Sequence, residues 1–392
     1  MTWGTAKLGD LILINPRTTA PAGQICEFVD MAAIVPGRRY VRANTSRAWG
    51  GSGAKFVGGD TLMARITPCL ENGKIAQFSS QSVVPAQGST EFWVLRAKEG
   101  VSDPAFVFYL VSTDIVRGPA EKSMVGASGR QRADVEVLRS LEVPAPKLAE
   151  QRRIASFLSA YDDLIENNTR RIAILEEMAR RIYEEWFVRF RFPGYENVRM
   201  VESELGAAPE GWQIASLTEV ASVSYGKNLP KTKLADDGQF PVYGASKIIG
   251  RYTEFTRECR TLIVGCRGSV GIPQITLPRC FVTNNSFTID PVHPRGLLWL
   301  FLALQHRGLA DIVGGAAQPQ ITLEGMSGAN LIAPCDDVIY LFDRVVRPIF
   351  ELAWNLADKN RILHATRHLL LPKLISGELD VSKIPKPETA AA

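Results

Sequence analysis

The 392-residue chain has four histidines, six cysteines without a C-x-x-C pair, and no long apolar run. Each shortage removes a class of function. Zinc ribbons and thioredoxin-like sites need closely spaced thiols. The cysteines at 26, 69, 259, 266, 280 and 335 are therefore expected as free thiols, buried as small apolar groups. His364 and His368 stand i, i+4 apart, but Ala365 occupies the place of the H-E-x-x-H base, so no metal site is expected. The longest apolar run, Leu297 to Leu304, is eight residues, against the roughly 18–20 of a membrane helix. Met1 to Lys7 lacks a basic start followed by an apolar core. No membrane partner and a cytoplasmic location are expected. An excess of one charge is also missing, with 45 basic and 41 acidic residues and a net +4. The charge is unevenly placed: residues 1–146 and 211–335 each carry a net +3, and residues 147–190 a net charge of zero.

Catalytic patterns are scarce as well. Gly50-Gly51-Ser52-Gly53-Ala54-Lys55 lacks the glycine before the lysine and the Ser/Thr after it that a phosphate loop needs. Asp60 with Glu71 and Lys74 faintly echoes a metal-dependent nuclease, which wants two carboxylates and a lysine around a divalent ion. The spacing is Glu-x-x-Lys, and a turn with a solvent- or DNA-facing lysine suits it better. Asn15-Pro16-Arg17 is not the Asn-Pro-Pro-aromatic tetrad of adenine methyltransferases. No Ser-His-Asp or Cys-His arrangement assembles, so no catalytic residue is assigned.

What is present is periodicity. After Pro144-Ala145-Pro146, a seam runs through Ile154, Leu158, Tyr161, Ile165, Asn168, Ile172, Leu175, Ala179, Ile182 and Trp186 in alternating steps of 4 and 3. No Pro or Gly interrupts residues 147–190, which predicts one long helix. Asn168 is its polar member, able to fix register if buried or to lie partly exposed. A second helix is predicted over 336–376, kinked near Pro348, with Val338, Phe342, Val345, Ile349, Leu352 and Leu356 on its seam. The two helices can pair within the chain, parallel or antiparallel; otherwise each packs on its own globular neighbour, or the seams pair between subunits.

The remainder reads as a tandem repeat. Trp3-x4-Leu8 recurs 209 residues later as Trp212-x4-Leu217. Gly126-Ala127-Ser128-Gly129-Arg130-Gln131 resembles Gly315-Ala316-Ala317-Gln318-Pro319-Gln320, and a proline and a long helix follow each. Strands are predicted over 61–66, 90–95, 261–264 and 286–289, and short helices over 106–116 and 297–306. The expected fold is α+β: two globular domains, 1–146 and 211–335, each followed by a long helix. Residues 191–210 read as a Pro/Gly-rich linker rather than core, and 377–392 as a tail.

Basic residues are interleaved with aromatic and amide groups: Arg38, Arg39, Tyr40, Arg42, Asn44, Arg47, Trp49 and Lys55 in the first domain. The second has Tyr225, Lys227, Lys231, Lys233, Tyr243, Lys247, Arg251 and Tyr252. Lys and Arg neutralise phosphates, and Arg, Asn and Gln read base edges.

Several stretches resemble the specificity (S) subunit of type I restriction–modification systems. Arg65-Ile66-Thr67-Pro68-Cys69-Leu70-Glu71-Asn72-Gly73-Lys74 is similar to a segment of its recognition domains. Residues 144–154 resemble its proline-rich approach to a long helix, and Trp186 to Phe190 with Ser203 to Trp212 its central connector. Leu369 to Leu379 resembles its C-terminal helix end. The resemblance implies two target recognition domains separated by an antiparallel pair of long helices, each domain reading half of a bipartite site in double-stranded DNA. It further implies two modification (M) subunits carrying S-adenosylmethionine and adenine N6 methylation. Restriction (R) subunits would add ATP- and Mg-dependent translocation and cleavage. The S chain itself would carry no catalytic centre, cofactor or metal. On this basis the expected DNA-contacting residues are Arg65, Asn72, Lys74, Arg130 and Gln131, then Lys247, Arg267, Ser269, Asn284, Gln318 and Gln320. The helix-pairing residues are Ile154, Leu158, Ile165, Asn168, Ile172, Leu175, Phe342, Ile349, Leu352 and Leu356. Two other classes stand beside this one: an autonomous nuclease on Asp60, Glu71 and Lys74, and a coiled-coil adaptor that binds only protein.

Overall fold

A computed structural model describes residues 3–127, 129–203, 206–235, 237–315 and 318–380. Two compact units emerge, residues 1–170 with 356–392 and residues 171–355. Each unit holds one globular domain and part of both long helices.

Central strands of the first domain are buried on both faces, which explains their unbroken apolar runs. Thr61–Ala64 pairs antiparallel with Phe92–Ala97 and with Ile75–Phe78. Ile12–Ile14 and the short Tyr40–Val41 complete a five-stranded sheet. Side chains alternate across it with the two-residue period of a strand. Met63, Ile75, Trp93 and Leu95 face a core shared with helices, while Leu62, Ala76, Phe78, Phe92 and Val94 face a second core. A second sheet closes that other face, in the order Thr45–Ala48, Ile25–Val29, Ala86–Gly88, Ala54–Phe56. On the helical side lie Pro104–Val111 and Asp114–Lys122. The single helix expected over 106–116 is two, because the Ser112 and Thr113 hydroxyls donate to the carbonyls of Phe108 and Leu110 and end the first.

The second domain repeats this plan with fewer strands. Its main sheet runs Ala221–Tyr225, Ser286–Pro291, Leu262–Gly265, Pro273–Ile275, and a three-stranded sheet combines Ile248–Tyr252, Phe240–Tyr243 and Phe281–Val282. Ile25–Val29 in the first domain's second sheet and Phe240–Tyr243 in this three-stranded sheet each have one antiparallel and one parallel neighbour. Opening and closing strands also pair equivalently, Ala6 opposite Val143 and Ala215 opposite Leu331.

The first long helix spans Leu148–Tyr183 and ends in a π turn, Glu184–Val188; the second spans Asp336–Ser376. At about 1.5 Å per residue they are roughly 54 and 62 Å long. In the first unit Leu158 shares a core with Leu374 and Ile375, Asp162 pairs with Arg367, and Asn168 donates to Asn360 at 2.9 Å. Numbers rise on one helix as they fall on the other, so the pairing is antiparallel. In the second unit Trp186 and Phe187 meet Phe342 edge-on, at 5.6 and 4.8 Å. Asn168 is buried, and so are Ile154, Leu158 and Ile165, whereas Ile172 and Leu175 are half-buried. On the second helix the buried row is Phe342, Val346, Phe350, Ala353, Leu356 and Asn360. Ile349 is half-buried, and Val345 and Leu352 are exposed, unlike the predicted seam. The observed row keeps the 3.6-residue period of a straight helix rather than a strict heptad. Helical structure continues through Pro348, which is exposed, as is Arg344, whose carbonyl lacks the N–H that proline cannot supply.

The connector departs from the expected linker. Phe192 stacks on Trp212 at 5.2 Å, Phe187 and Phe190 flank the same indole, and Met200–Ser203 pairs with Gly206–Pro209. Burial of Phe192 against Trp212 ties this segment to the second unit's core despite its Pro and Gly.

Candidate nucleic-acid interface

The backbone gathers most of the selected residues into one cluster per domain. In the first, the chain leaving strand Thr61–Ala64 pairs with residues 131–133: the Thr67 amide donates to the Gln131 carbonyl at 3.0 Å and the Ala133 amide to Arg65 at 2.9 Å. Ile66 and Arg132 face each other across this bridge. Arg65, Arg130 and Gln131 thus share one edge, with Arg130 exposed and Arg65 and Gln131 half-exposed. Asn72 is exposed in the next turn. Lys74 departs from the set: its ammonium points inward and donates to the Met31 carbonyl at 2.7 Å.

Glu91 organises the cations of this edge. Its carboxylate binds Arg132 at 2.6 Å and Arg65 at 3.2 Å. The Arg132 hydrogen bonds, helped by Arg65, hold its pKa below the ordinary carboxylate value. Two guanidinium groups share one carboxylate, leaving a net positive edge. Arg65 also lines an open groove of about 570 Å³ with Asn15, Arg17, Thr18, Lys55 and Thr90. Asn15 adopts φ 50° and accepts the Val94 amide at 3.0 Å, so the turn at Pro16 is built on its side chain. Arg17 and Arg132 were missed by sequence reasoning. Asn15-Pro16 is a turn signal that could have pointed to Arg17; Arg132 had only its neighbour Gln131 to mark it.

In the second domain the cluster is tighter. Arg267 faces Gln320 across an antiparallel bridge that repeats Ile66 opposite Arg132. The Cys266 amide donates to Asn285 at 2.9 Å, which brings the Asn284 turn alongside. Ser286 donates its hydroxyl to the Gly244 carbonyl at 2.7 Å, which draws in the hairpin turn bearing Lys247. A Cβ at Gly265 would lie 2.1 Å from the Ser269 carbonyl and 2.6 Å from that of Ala245. Only glycine admits this approach of the Ser269 and Ala245 turns. In the first domain Ala64 occupies the corresponding end of the strand. Lys247, Arg267, Ser269, Gln318 and Gln320 are exposed and Asn284 half-exposed.

Some of the other residues singled out by composition make contacts within the fold. Arg39, Trp49 and Tyr243 are buried. Lys55 lies over the Trp49 ring at 5.2 Å, and Arg251 donates to the Gly238 and Gln239 carbonyls. The nuclease triad does not assemble. Asp60 is buried against Arg96 at 2.6 Å and accepts the Val57 amide, and Lys74 is held by Met31. Among the described residues no group of three or more His, Cys, Asp or Glu could hold a metal ion. All six cysteines are free. Cys26, Cys266 and Cys280 are buried, whereas Cys259 and Cys335 are exposed, against the expectation that all are core. No helix among the described residues is long and apolar enough to cross a membrane.

The duplicated plan has a counterpart among known proteins. The sequence matches the type I restriction modification DNA specificity domain twice, over residues 2–177 and 209–337. The chain belongs to the type I restriction–modification specificity family. It is 25% identical to the type I restriction enzyme MjaIX specificity subunit of Methanocaldococcus jannaschii, covering 73% of this chain and 71% of that protein. It is 22% identical to the HindI specificity subunit of Haemophilus influenzae, over 82% and 86% of the two. The crystal structure of the S subunit from M. genitalium shares the fold, with TM-score 0.54 and 17% identity over 95% of this chain and 96% of that one. The first match covers the first globular domain and most of the first long helix, and the second covers the second domain and stops at the start of the second long helix. The S-subunit fold of two tandem α+β domains and an antiparallel helix pair is thus the fold of this chain.

Proposed function

We propose that this chain is the DNA-reading subunit of a type I restriction–modification complex. Each domain contacts one half of a bipartite double-stranded site. The turn clusters do the reading, through Arg65, Asn72, Arg130 and Gln131 in one domain and Lys247, Arg267, Ser269, Asn284, Gln318 and Gln320 in the other. The long helices set the spacing between the halves and carry two M subunits, where S-adenosylmethionine and adenine N6 methylation reside. R subunits supply ATP- and Mg-dependent cleavage. The chain contributes no catalytic group or cofactor of its own and works in the cytoplasm. The observation that carries this reading is the repeated backbone bridge, Ile66 opposite Arg132 and Arg267 opposite Gln320, which presents cations and amides on exposed turns in both domains. Cations neutralise phosphates and amides discriminate bases, so each cluster has the chemistry of direct readout.

The test is methylome sequencing of a host that expresses the chain with its M subunit. One bipartite motif with methylated adenine is expected. Replacing residues 211–335 by another such domain should change one half of that motif. A change in both halves, or magnesium-dependent DNA cutting by the purified chain alone, would overturn the reading.

A further inference from the structure

One carboxylate in the first unit is the meeting point of three elements. Asp162, on the first long helix, is 4% exposed. It accepts the Tyr109 hydroxyl of helix Pro104–Val111 at 2.5 Å and pairs with Arg367 of the second long helix. Arg367 also donates to the Gly37 carbonyl of the globular domain at 2.9 Å. Arg39, 7% exposed, donates to the Tyr109 oxygen at 3.4 Å and to Ser159 of the first long helix at 2.5 Å. Its Nε and Nη2 also donate to the Gln77 side-chain oxygen of the central sheet, at 3.0 and 2.8 Å. The sheet, a domain helix and both long helices therefore share one charge-assisted network.

We propose that this network seats the first domain on the helix pair in a single pose and thereby restricts the spacer length the protein accepts. The proposal rests on the reading of the helices as the spacing element. Its physical basis is directionality. The apolar contacts of Ile154, Ala155 and Leu158 are non-directional and tolerate sliding and tilting. Hydrogen bonds to an ionised group have fixed lengths and angles and are stronger than neutral ones. A buried ionic network adds little net stability, because desolvation offsets attraction, but it penalises every pose that breaks it. Burial and the neighbouring Asp162 charge push the Tyr109 hydroxyl pKa far up, so it remains a donor throughout the physiological range. The second domain has its own buried carboxylate, Asp343, paired with Arg295 of that domain at 3.3 Å and with Arg347 at 2.6 Å. Asp162, Tyr109, Arg39 and Arg367 are positioning residues rather than DNA contacts.

The experiment compares Y109F and D162N with the parent in the complete methyltransferase complex. The DNA duplexes keep both half-sites and carry the preferred spacer or one base pair more or less. The ratio of methylation on preferred over altered spacers should fall about tenfold in both variants, the scale of one lost hydrogen bond to a charge. Base preference within each half-site should stay that of the parent. E136Q, which breaks the exposed Glu136–Arg139 pair, should leave the ratio unchanged. An unchanged ratio in variants that fold and bind M would overturn the proposal, as would loss of base preference in the first half-site. If D162N does not fold, Y109F, which removes one oxygen and keeps the ring, decides alone. A parent complex that methylates no bipartite site would instead overturn the underlying reading of function.

Discussion

At the scale of single residues, chemistry identifies candidates and geometry sorts them. Lys74 and Arg267 look alike as basic residues in Gly-containing turns, yet the structure gives them opposite settings. The Lys74 ammonium is satisfied by Met31, whereas Arg267 is exposed beside Gln320. R267A should weaken DNA binding and reduce the slope of log affinity against log salt by about 1, with the melting temperature unchanged. K74M should leave that slope alone and cost roughly 1–2 kcal/mol of stability by removing an inward charged hydrogen bond. Titrations at several salt concentrations beside urea unfolding separate the two. Glu91 makes a pH prediction. Its folded pKa is depressed, so its contribution is present above its ordinary value of about 4.5 and is lost as pH falls through the folded value. Unfolding midpoints of E91Q should therefore fall less steeply than the parent's below about pH 4.5.

At the scale of elements, the helix pair shows how a polar residue is tolerated in a seam. Asn168 and Asn360 satisfy each other, and Asn360 also donates to the Ile165 carbonyl and Thr169 hydroxyl. N168L alone should cost about 1–3 kcal/mol, because the Asn360 oxygen is left buried without a donor. The double variant N168L/N360L should recover that loss or exceed the parent, since no orphaned group remains. Urea unfolding of the four members of the cycle measures the coupling. The first seam was legible because heptad spacing is a strong local signal. The second was misplaced at Val345 and Leu352 because that helix buries Phe342, Val346 and Phe350 in the second unit's core, a demand set by its neighbours. The connector was misjudged for a similar reason: Pro and Gly mark a break in helix, but they do not say whether Phe192 will find Trp212.

At the scale of the whole molecule, the repeat governs what can be exchanged and what can be stretched. The domains share strand order and bridge positions but differ in detail, as at Ala64 and Gly265, where different side-chain clearance allows different turns. On the proposed reading, the different turns serve different half-sites. Lengthening both long helices by one turn, about 5.4 Å, should change the preferred spacer while leaving the half-site sequences unaltered. Methylome sequencing checks this, and an unchanged spacer would refute the role of the helices in spacing.

The sequence by itself determined the duplication, the two long helices and the α+β class, because periodicity, capping residues and repeated motifs act over short stretches of chain. It also supplied the residue types of the candidate interface. Tertiary structure decided which of them meet. Arg65 lies beside Gln131 and Arg267 beside Gln320 only because strands distant in sequence pair edge to edge. It also decided that Lys74 and Arg39 turn inward while Arg17 and Arg132 join the cationic edge. Local pattern dictates which way a chain can bend, but the partner of a charge is chosen by whatever the fold brings within hydrogen-bonding distance.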